Sequence, residues 1–431
     1  MNYPDSVHFL YALGNELKTA KFGLERIRTL LDALGNPQDR CRFVHVAGTN
    51  GKGSTCAMIE SALRAATRRT GLFISPHLNE PTERICLDGR PTSFDRFTDA
   101  FNRVHAAAER LLDSGAIDLH PTYFETVTAM AFLIFADAAP DMVVLEVGLG
   151  GRLDCTNVVN PDLCVITQID FDHEKFLGIS LESIAGEKAG ILKPGVPAVF
   201  SRQRPEVSPV LDRRAAELAV PVSRTADWTI SDLELHSRGS RFTLVGQVGQ
   251  PVPPATLDIR CPLAGEHQVE NAVTAAVALK SLGLANEVIQ TGIARAEWPG
   301  RLELLSDHPE IVIDGAHNPA GARALAAYLD RFYSSRCVRM IYGAMRDKAV
   351  EEVCGILFPR AQEVIATAPQ QPRALHPEAI LHVADHSNIR TAPTLVQALD
   401  LVKDAGPEDA IFITGSLYLV GEARALIGAR R

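Results

Sequence analysis

The sequence predicts an α/β protein in two parts: a mainly parallel sheet domain that carries a β-rich insertion, followed by a smaller α/β domain. Three observations predict it. A glycine-rich turn, Gly48-Thr49-Asn50-Gly51-Lys52-Gly53-Ser54, lies between an apolar run at 43–46 and a helical run at 55–66, which gives strand, turn and helix start in order. Short apolar runs then alternate with amphipathic stretches, and continuous apolar strands separated by helices belong to buried parallel sheets. Finally, Trp298-Pro299-Gly300-Arg301 places two helix breakers between a helix and a new series of strands, and 431 residues exceed the size at which one core stops growing. The expected domains are 1–297 and 298–431.

The glycine turn is of the P-loop type. Glycines at 48, 51 and 53 let backbone N–H groups approach phosphate oxygens, and Lys52 adds a movable charge for terminal phosphates, so an ATP-type ligand is the first expectation. Two positions depart from the commonest pattern. Gly53 stands where Ser or Thr follows the lysine, and Val46 holds the first-glycine position.

Composition narrows the class. Hydrophobic residues at 46% and charged residues at 22% describe an ordinary globular chain, and a net charge of -9 without a long Lys/Arg cluster argues against nucleic acid. The sequence contains no apolar run as long as a membrane span, and Met1 to Ser6 has no basic region followed by an apolar one. The eight cysteines, at 41, 56, 86, 155, 164, 261, 337 and 354, form no Cys-x-x-Cys pair and read as reduced core thiols. A soluble cytoplasmic enzyme fits these features.

In chain order, residues 7–35 predict two short helices interrupted at Lys21-Phe22-Gly23. A short strand at 72–74 runs into Ser75-Pro76-His77-Leu78, a candidate site edge. Helices are expected at 94–112 and 122–138, the second opening with Thr122-Tyr123-Phe124-Glu125. The strand at 142–147 is continuously apolar except for Glu146; a carboxylate there is costly unless paired or metal-bound, which favours a magnesium role. The turn Gly148-Leu149-Gly150-Gly151-Arg152-Leu153-Asp154 follows at once, and a strand at 163–169 ends in Asp170-Phe171-Asp172-His173. Ligands bind at such carboxyl edges of open α/β sheets. Glu187-Lys188-Ala189-Gly190 follows a helix from 181, residues 228–259 alternate like an antiparallel hairpin insertion, and the helix 269–282 carries Asn271. After the break, strands at 311–314, 338–342, 364–367 and 410–414 alternate with helices in a Rossmann-like rhythm, with Asp314-Gly315-Ala316-His317-Asn318-Pro319 at a strand-to-helix turn.

Taken in order, these motifs, with Gly23-Leu24-Glu25-Arg26 and Pro299-Gly300-Arg301, resemble the bacterial folylpolyglutamate synthase and dihydrofolate synthase family of the Mur ligase superfamily along nearly the whole chain. The resemblance implies that Asn50, Gly51, Lys52, Gly53 and Ser54 hold ATP phosphates, and that Asn271, Arg301 and Asp314 also contact ATP, with His317 beside them. It implies two magnesium ions, with Ser75, Glu146 and His173 around the metal, and a carbamylated Lys188 facing the second ion. Lys52, Lys188, His173 and His317 are the catalytic candidates. Pteroate contacts fall on Phe22, Gly23, Thr122, Tyr123, Phe124, Glu125, Leu153, Asp154 and Cys155, where the family's usual alanine is replaced by Cys155. A monomer acting on small molecules is implied as well.

The implied reaction is ATP-dependent addition of L-glutamate to dihydropteroate, to reduced folates, or to both. A carboxylate is a poor electrophile, so ATP converts it to an acyl phosphate that the glutamate amine attacks, releasing ADP and phosphate. Two alternatives stay open. A peptidoglycan-precursor Mur ligase commonly has a Lys-Thr-Thr loop and a separate amino-terminal domain, for which the roughly 40 residues before this loop are too few. A nucleotide-controlled binding module would bind ATP without ligation.

Overall fold

The computed structural model describes residues 1–13, 23–246, 255–346 and 349–428. Two compact units emerge: residues 1–231, 243–259 and 270–296 form the first, and residues 232–242, 260–269 and 297–431 the second.

The first unit is built on β1 (Phe43–Ala47), β2 (Thr70–Phe73), β3 (Ile85–Leu87), β4 (Arg90–Pro91), β5 (Met142–Glu146), β6 (Leu163–Ile166), β7 (Ala198–Phe200) and β8 (Val222–Arg224). They form one sheet in the order β4-β3-β2-β5-β1-β6-β7-β8. All neighbours are parallel except the β2, β3, β4 edge, which turns back antiparallel. That edge was not expected: β3, Ile85-Cys86-Leu87, is apolar but only three residues long, and β4, Arg90-Pro91, is short and exposed, which is how sheets end safely. Because Val46 pairs with Glu146 and with Val165, the turns after β1, β5 and β6 emerge together at one carboxyl edge.

The helices of this unit include α1 (Tyr3–Ala12), α2 (Glu25–Ala33), α3 (Lys52–Ala65), α4 (Phe94–Asp113), α5 (Tyr123–Ala138), α6 (Glu174–Leu177), α7 (Leu181–Ala189) and α8 (Ser208–Glu217). Helix α5 starts at a capping box in which Thr122 accepts from the Glu125 amide and Glu125 accepts from the Thr122 amide. It is buried from Phe124 to Phe135, as its strongly apolar sequence favours, and Glu125, Thr126 and Thr128 are buried with it. Phe43, Phe73, Phe97, Phe101, Phe132 and Phe135 share one core with it. Truncating any of these rings to alanine would cost about 3–5 kcal/mol through lost burial and cavity formation. A second cluster joins Ile166, Phe200, Ile184, Leu192 and Leu211 under α7 and α8.

Strands β9 (Trp228–His236), β10 (Gly239–Gly246) and β11 (Thr256–Cys261) make a separate three-stranded sheet in the order β11-β10-β9, so the expected hairpin insertion has a third strand. The glycine and prolines expected to punctuate it at 249, 251, 253 and 254 lie outside the described residues. Helices α9 (His267–Ser281) and α10 (Asn286–Ala294) follow.

The second unit carries β12 (Glu303–Asp307), β13 (Glu310–Ile313), β14 (Cys337–Tyr342), β15 (Glu363–Ala366), β16 (Ile389–Thr391) and β17 (Asp409–Thr414) in the order β12-β13-β17-β14-β15-β16. Only β12 runs antiparallel. The four expected strands are β13, β14, β15 and β17; the two unexpected ones, β12 and β16, are the edges, where a strand needs little apolar surface. Helices α11 (Pro319–Phe332), α12 (Val350–Leu357), α13 (Pro377–Val383), α14 (Leu395–Leu401) and α15 (Leu417–Gly428) complete the unit, and Tyr342, Phe358, Phe412, Leu325 and Leu329 share its core. Among the described residues, no helix is long and apolar enough to cross a membrane.

Candidate functional site

The glycine loop leaves β1 at Ala47 and enters α3 at Lys52. Gly51 sits before the helix at φ 82°, a left-handed conformation, and a Cβ there would lie 2.1 Å from Asn271 Oδ1. At Gly48 the same added atom would meet Thr167 Oγ1 at 1.9 Å. Only glycine lets the backbone pass so close to Asn271 and to the turn after β6. That turn also holds the loop: the amides of Thr49 and Asn50 donate to the Gln168 carbonyl, Thr49 Oγ1 donates to the Asp170 carbonyl at 2.9 Å, and Thr167 Oγ1 donates to the Asn50 carbonyl at 2.8 Å.

Two lysines converge on this loop. Lys52 Nζ donates to the carbonyls of Gly48 and Thr49, both at 3.1 Å, and Lys188 Nζ donates to the Gly48 carbonyl at 2.8 Å. Lys188 lies in the last turn of α7, inside the helix instead of after it, and is only 4% exposed. Burial first, and the Lys52 charge second, push its ammonium down to about 7; the carboxylates of Asp172 and Asp154 act in the opposite direction.

Glu146 closes β5, 4% exposed, and its Oε2 accepts from the Ser75 amide at 3.1 Å. Its charge and that of Lys52 both act on the buried Cys56 thiol in α3, which burial raises well above its ordinary value. His173, the residue before α6, adopts φ 53°, and its Nε2 stands 3.8 Å from Asp172. His77, read from sequence as a possible site edge, is internal: Arg84 Nε donates to its Nδ1 at 2.8 Å, and its Nε2 lies 3.2 Å from the Tyr11 hydroxyl.

Beside α5 and α7 lies a cavity of ≈ 240 Å³. Seven of the expected pteroate residues line it: Gly23, Thr122, Phe124, Glu125, Leu153, Asp154 and Cys155. Tyr123 is not in that wall; it stacks at 5.9 Å on Tyr11 and lies under the Arg84 guanidinium. Phe22 lies outside the described residues. Arg26, unmarked by the sequence reading as a ligand group, reaches the wall and donates Nε to Glu125 Oε2 at 2.7 Å, an ion pair almost wholly withdrawn from water. Buried Asp154 accepts from the amides of Leu149 and Thr156 at 2.7 and 3.0 Å and from the Thr156 hydroxyl. Burial raises its carboxyl above the ordinary range against those hydrogen bonds. Arg152 pairs with Glu187 at 2.8 Å on the rim. Glu187 lines the cavity while its neighbour Lys188 reaches Gly48, so one turn of α7 joins the cavity to the glycine loop.

In the second unit, Asp314 follows β13 and is buried; Oδ2 accepts from the Leu302 amide at 3.0 Å and Oδ1 from the Ala316 amide at 2.9 Å. Burial raises its carboxyl, and Arg301 opposes that rise. A Cβ on Gly315 would lie 2.1 Å from Arg301 Nη1, and His317 Nδ1 donates to the Gly315 carbonyl at 2.8 Å, so Arg301, Asp314 and His317 gather around one turn.

Residues 46–279 match the Mur ligase middle domain, and residues 300–417 match the Mur ligase glutamate ligase domain. The chain is 38% identical to the dihydrofolate synthase/folylpolyglutamate synthase of Mycobacterium tuberculosis, over 94% of this chain and 90% of that protein. It is 36% identical to the folylpolyglutamate synthase of Lacticaseibacillus casei, with both chains fully covered. Among solved structures, the M. tuberculosis folylpolyglutamate synthase complexed with ADP superposes at a TM-score of 0.91, with 36% identity, covering 99% of this chain and 98% of that one. Escherichia coli FolC in complex with DHPP and ADP gives 0.88 at 32% identity, covering 100% and 99%.

Proposed function

The chain belongs to the folylpolyglutamate synthase and dihydrofolate synthase family of the Mur ligases, and we propose that it joins L-glutamate to dihydropteroate, to reduced folates, or to both, at the expense of ATP. The observation that carries this reading is the step along α7 from Glu187 on the cavity to Lys188 on the Gly48 carbonyl. A cavity beside a phosphate-type loop is what a reaction between a bound carboxylate and a γ-phosphate requires. The ADP and DHPP in the structures of relatives support the same two ligands here.

In this mechanism Asn50, the backbone amides of Gly51 to Ser54 and the Lys52 ammonium bind the ATP phosphates, and Asn271 orients the nucleotide. The wall formed by Thr122, Phe124, Glu125, Leu153, Asp154 and Cys155 holds the pteroate part and keeps water from an activated acyl group. Within residues 298–431, Arg301, Asp314 and His317, gathered around one turn, are the candidates for nucleotide contact. Of the proposed magnesium ligands, Glu146 supplies a buried carboxylate at the sheet edge and Ser75 a hydroxyl, the oxygen donors that magnesium prefers, while the His173 imidazole is an unusual donor for this ion. Magnesium there would neutralise phosphate charge. Lys188, with its depressed ammonium, is suited to carbamylation, which would turn a cation into an oxygen ligand for a second ion. A monomeric cytoplasmic enzyme with small-molecule partners completes the proposal.

The deciding assay offers dihydropteroate and tetrahydrofolate separately to the purified protein with ATP, magnesium and labelled glutamate. Incorporation matched by ADP release is expected with at least one acceptor. ATP binding without acceptor-dependent ADP release would make the chain a nucleotide-controlled binding module instead.

A further inference from the structure

Helix α4 carries His105 and Glu109 one turn apart, so both side chains project from one face, and His120 approaches them from the segment that leads into α5. His105 Nδ1 lies 3.7 Å and His120 Nε2 3.8 Å from the same Glu109 Oε1, and the three ligand atoms fall within 4.8 Å of one another. Neither nitrogen has a hydrogen-bond partner, and both are shielded from solvent. Leaving two such atoms unmatched is costly.

The tautomer of His120 is fixed by its other nitrogen. Nδ1 stands 2.8 Å from the Pro121 carbonyl oxygen, which only accepts, so Nδ1 carries the proton and Nε2 presents its lone pair towards Glu109. A second nitrogen bonded to a backbone carbonyl is the usual support of a metal-bound imidazole. Both rings are held in place by apolar neighbours: Phe9 packs edge-on against His105 at 4.7 Å and His120 at 5.5 Å, and Phe101 stacks on His105 at 5.6 Å. The Glu109 side chain is 50% exposed, which leaves an entry path from solvent.

We propose that His105, Glu109 and His120 bind a zinc ion that ties the segment before Thr122 to α4. Two imidazole nitrogens and one carboxylate oxygen suit zinc over magnesium or calcium, which take oxygen ligands. Tetrahedral zinc with bonds of about 2.0–2.1 Å separates its ligand atoms by about 3.3 Å. The 3.7 and 3.8 Å spacings contract to that value through small side-chain torsions, with water as the fourth ligand. The ion would neutralise Glu109 and satisfy both orphaned nitrogens. Through His120 and Pro121 it would also brace Thr122, the cap of α5 and part of the cavity wall.

The test uses full-length protein stripped with a chelator and titrated with zinc sulfate while Tm is followed, and with cobalt chloride while visible absorption is followed. Zinc should raise Tm, and one equivalent of cobalt should give the intense visible band of a tetrahedral site. His120→Gln and, separately, His105→Gln should weaken binding by at least about tenfold, with helix content unchanged by circular dichroism. Two variants are used because either ring also packs against Phe9. Absence of the zinc shift and the cobalt band in the parent protein overturns the site and leaves an ion pair set in an aromatic cluster. A shift and band that persist unchanged in both variants overturn it too, by assigning the ion elsewhere.

Discussion

Lys52 and Lys188, 136 positions apart, donate to one acceptor, the carbonyl oxygen of Gly48. Burial first, and the neighbouring Lys52 charge second, push the Lys188 ammonium down to about 7. A neutral amine is the form that reacts with carbon dioxide. At fixed carbon dioxide pressure, the rate at which stripped enzyme regains activity should climb about tenfold per pH unit below 7 and level off above it. Full activity in stripped enzyme would exclude carbamylation.

The same shift has a consequence for unmodified stability. The folded value of about 7 lies below the unfolded value of about 10.4, so between them the unfolded state holds more protons and stability rises with pH. The burial penalty is complete below about pH 7. Lys188→Met should therefore raise Tm more at pH 6 than at pH 9, in carbon dioxide-free buffer; equal shifts would show that Lys188 does not titrate in this range.

Lys52→Ala removes a charged donor from the loop. A charge-assisted hydrogen bond is worth about 1.5–3 kcal/mol, so ATP turnover should fall roughly tenfold to a hundredfold in a protein that stays folded. Unchanged turnover would remove Lys52 from phosphate binding.

Glu146→Gln keeps volume and removes charge. Steady-state rates measured against magnesium should shift to higher concentrations, with the apparent magnesium constant rising and Tm little changed. A magnesium titration that superimposes on the parent curve would return Glu146 to a purely structural role as the acceptor of the Ser75 amide.

His45 and His77 are buried with values pushed down to about 3, by burial first, and in His77 by Arg84 second. Unfolded imidazoles protonate near 6.5, so stability from these groups is present above about pH 6.5 and is lost as pH falls towards 3. His77→Gln should lower Tm at pH 7.5 because the contacts to Arg84 and Tyr11 are lost. It should also flatten the decline of Tm between pH 6.5 and 4.5. Parallel declines would mean that His77 is protonated in the folded state.

Much of the site's local grammar was legible in the sequence. The glycine loop, the Thr122/Glu125 capping box and the carboxylate ending β5 depend on residues adjacent along the chain, where backbone sterics, helix caps and apolar periodicity act directly. The grouping of Leu153, Asp154 and Cys155 was implied by the family resemblance, and all three line the cavity. Arg26 against Glu125, the hydroxyl of Thr167 beneath Gly48, and the Arg152 to Glu187 pair carried no local signal. Each joins segments that meet only once the sheet order is set, and a surface-type arginine reads the same in sequence whether it faces water or a buried carboxylate.

The sequence by itself determined the alternation of strands and helices, the glycine loop and the capping box, since these follow from backbone preferences and periodicity within a few residues. Only the tertiary structure decided that β17 enters between β13 and β14, that β4, β8, β12 and β16 form edges, and that Lys188 ends on the Gly48 carbonyl. Those outcomes depend on which distant surfaces bury one another, and on the desolvation and charge that follow from that burial.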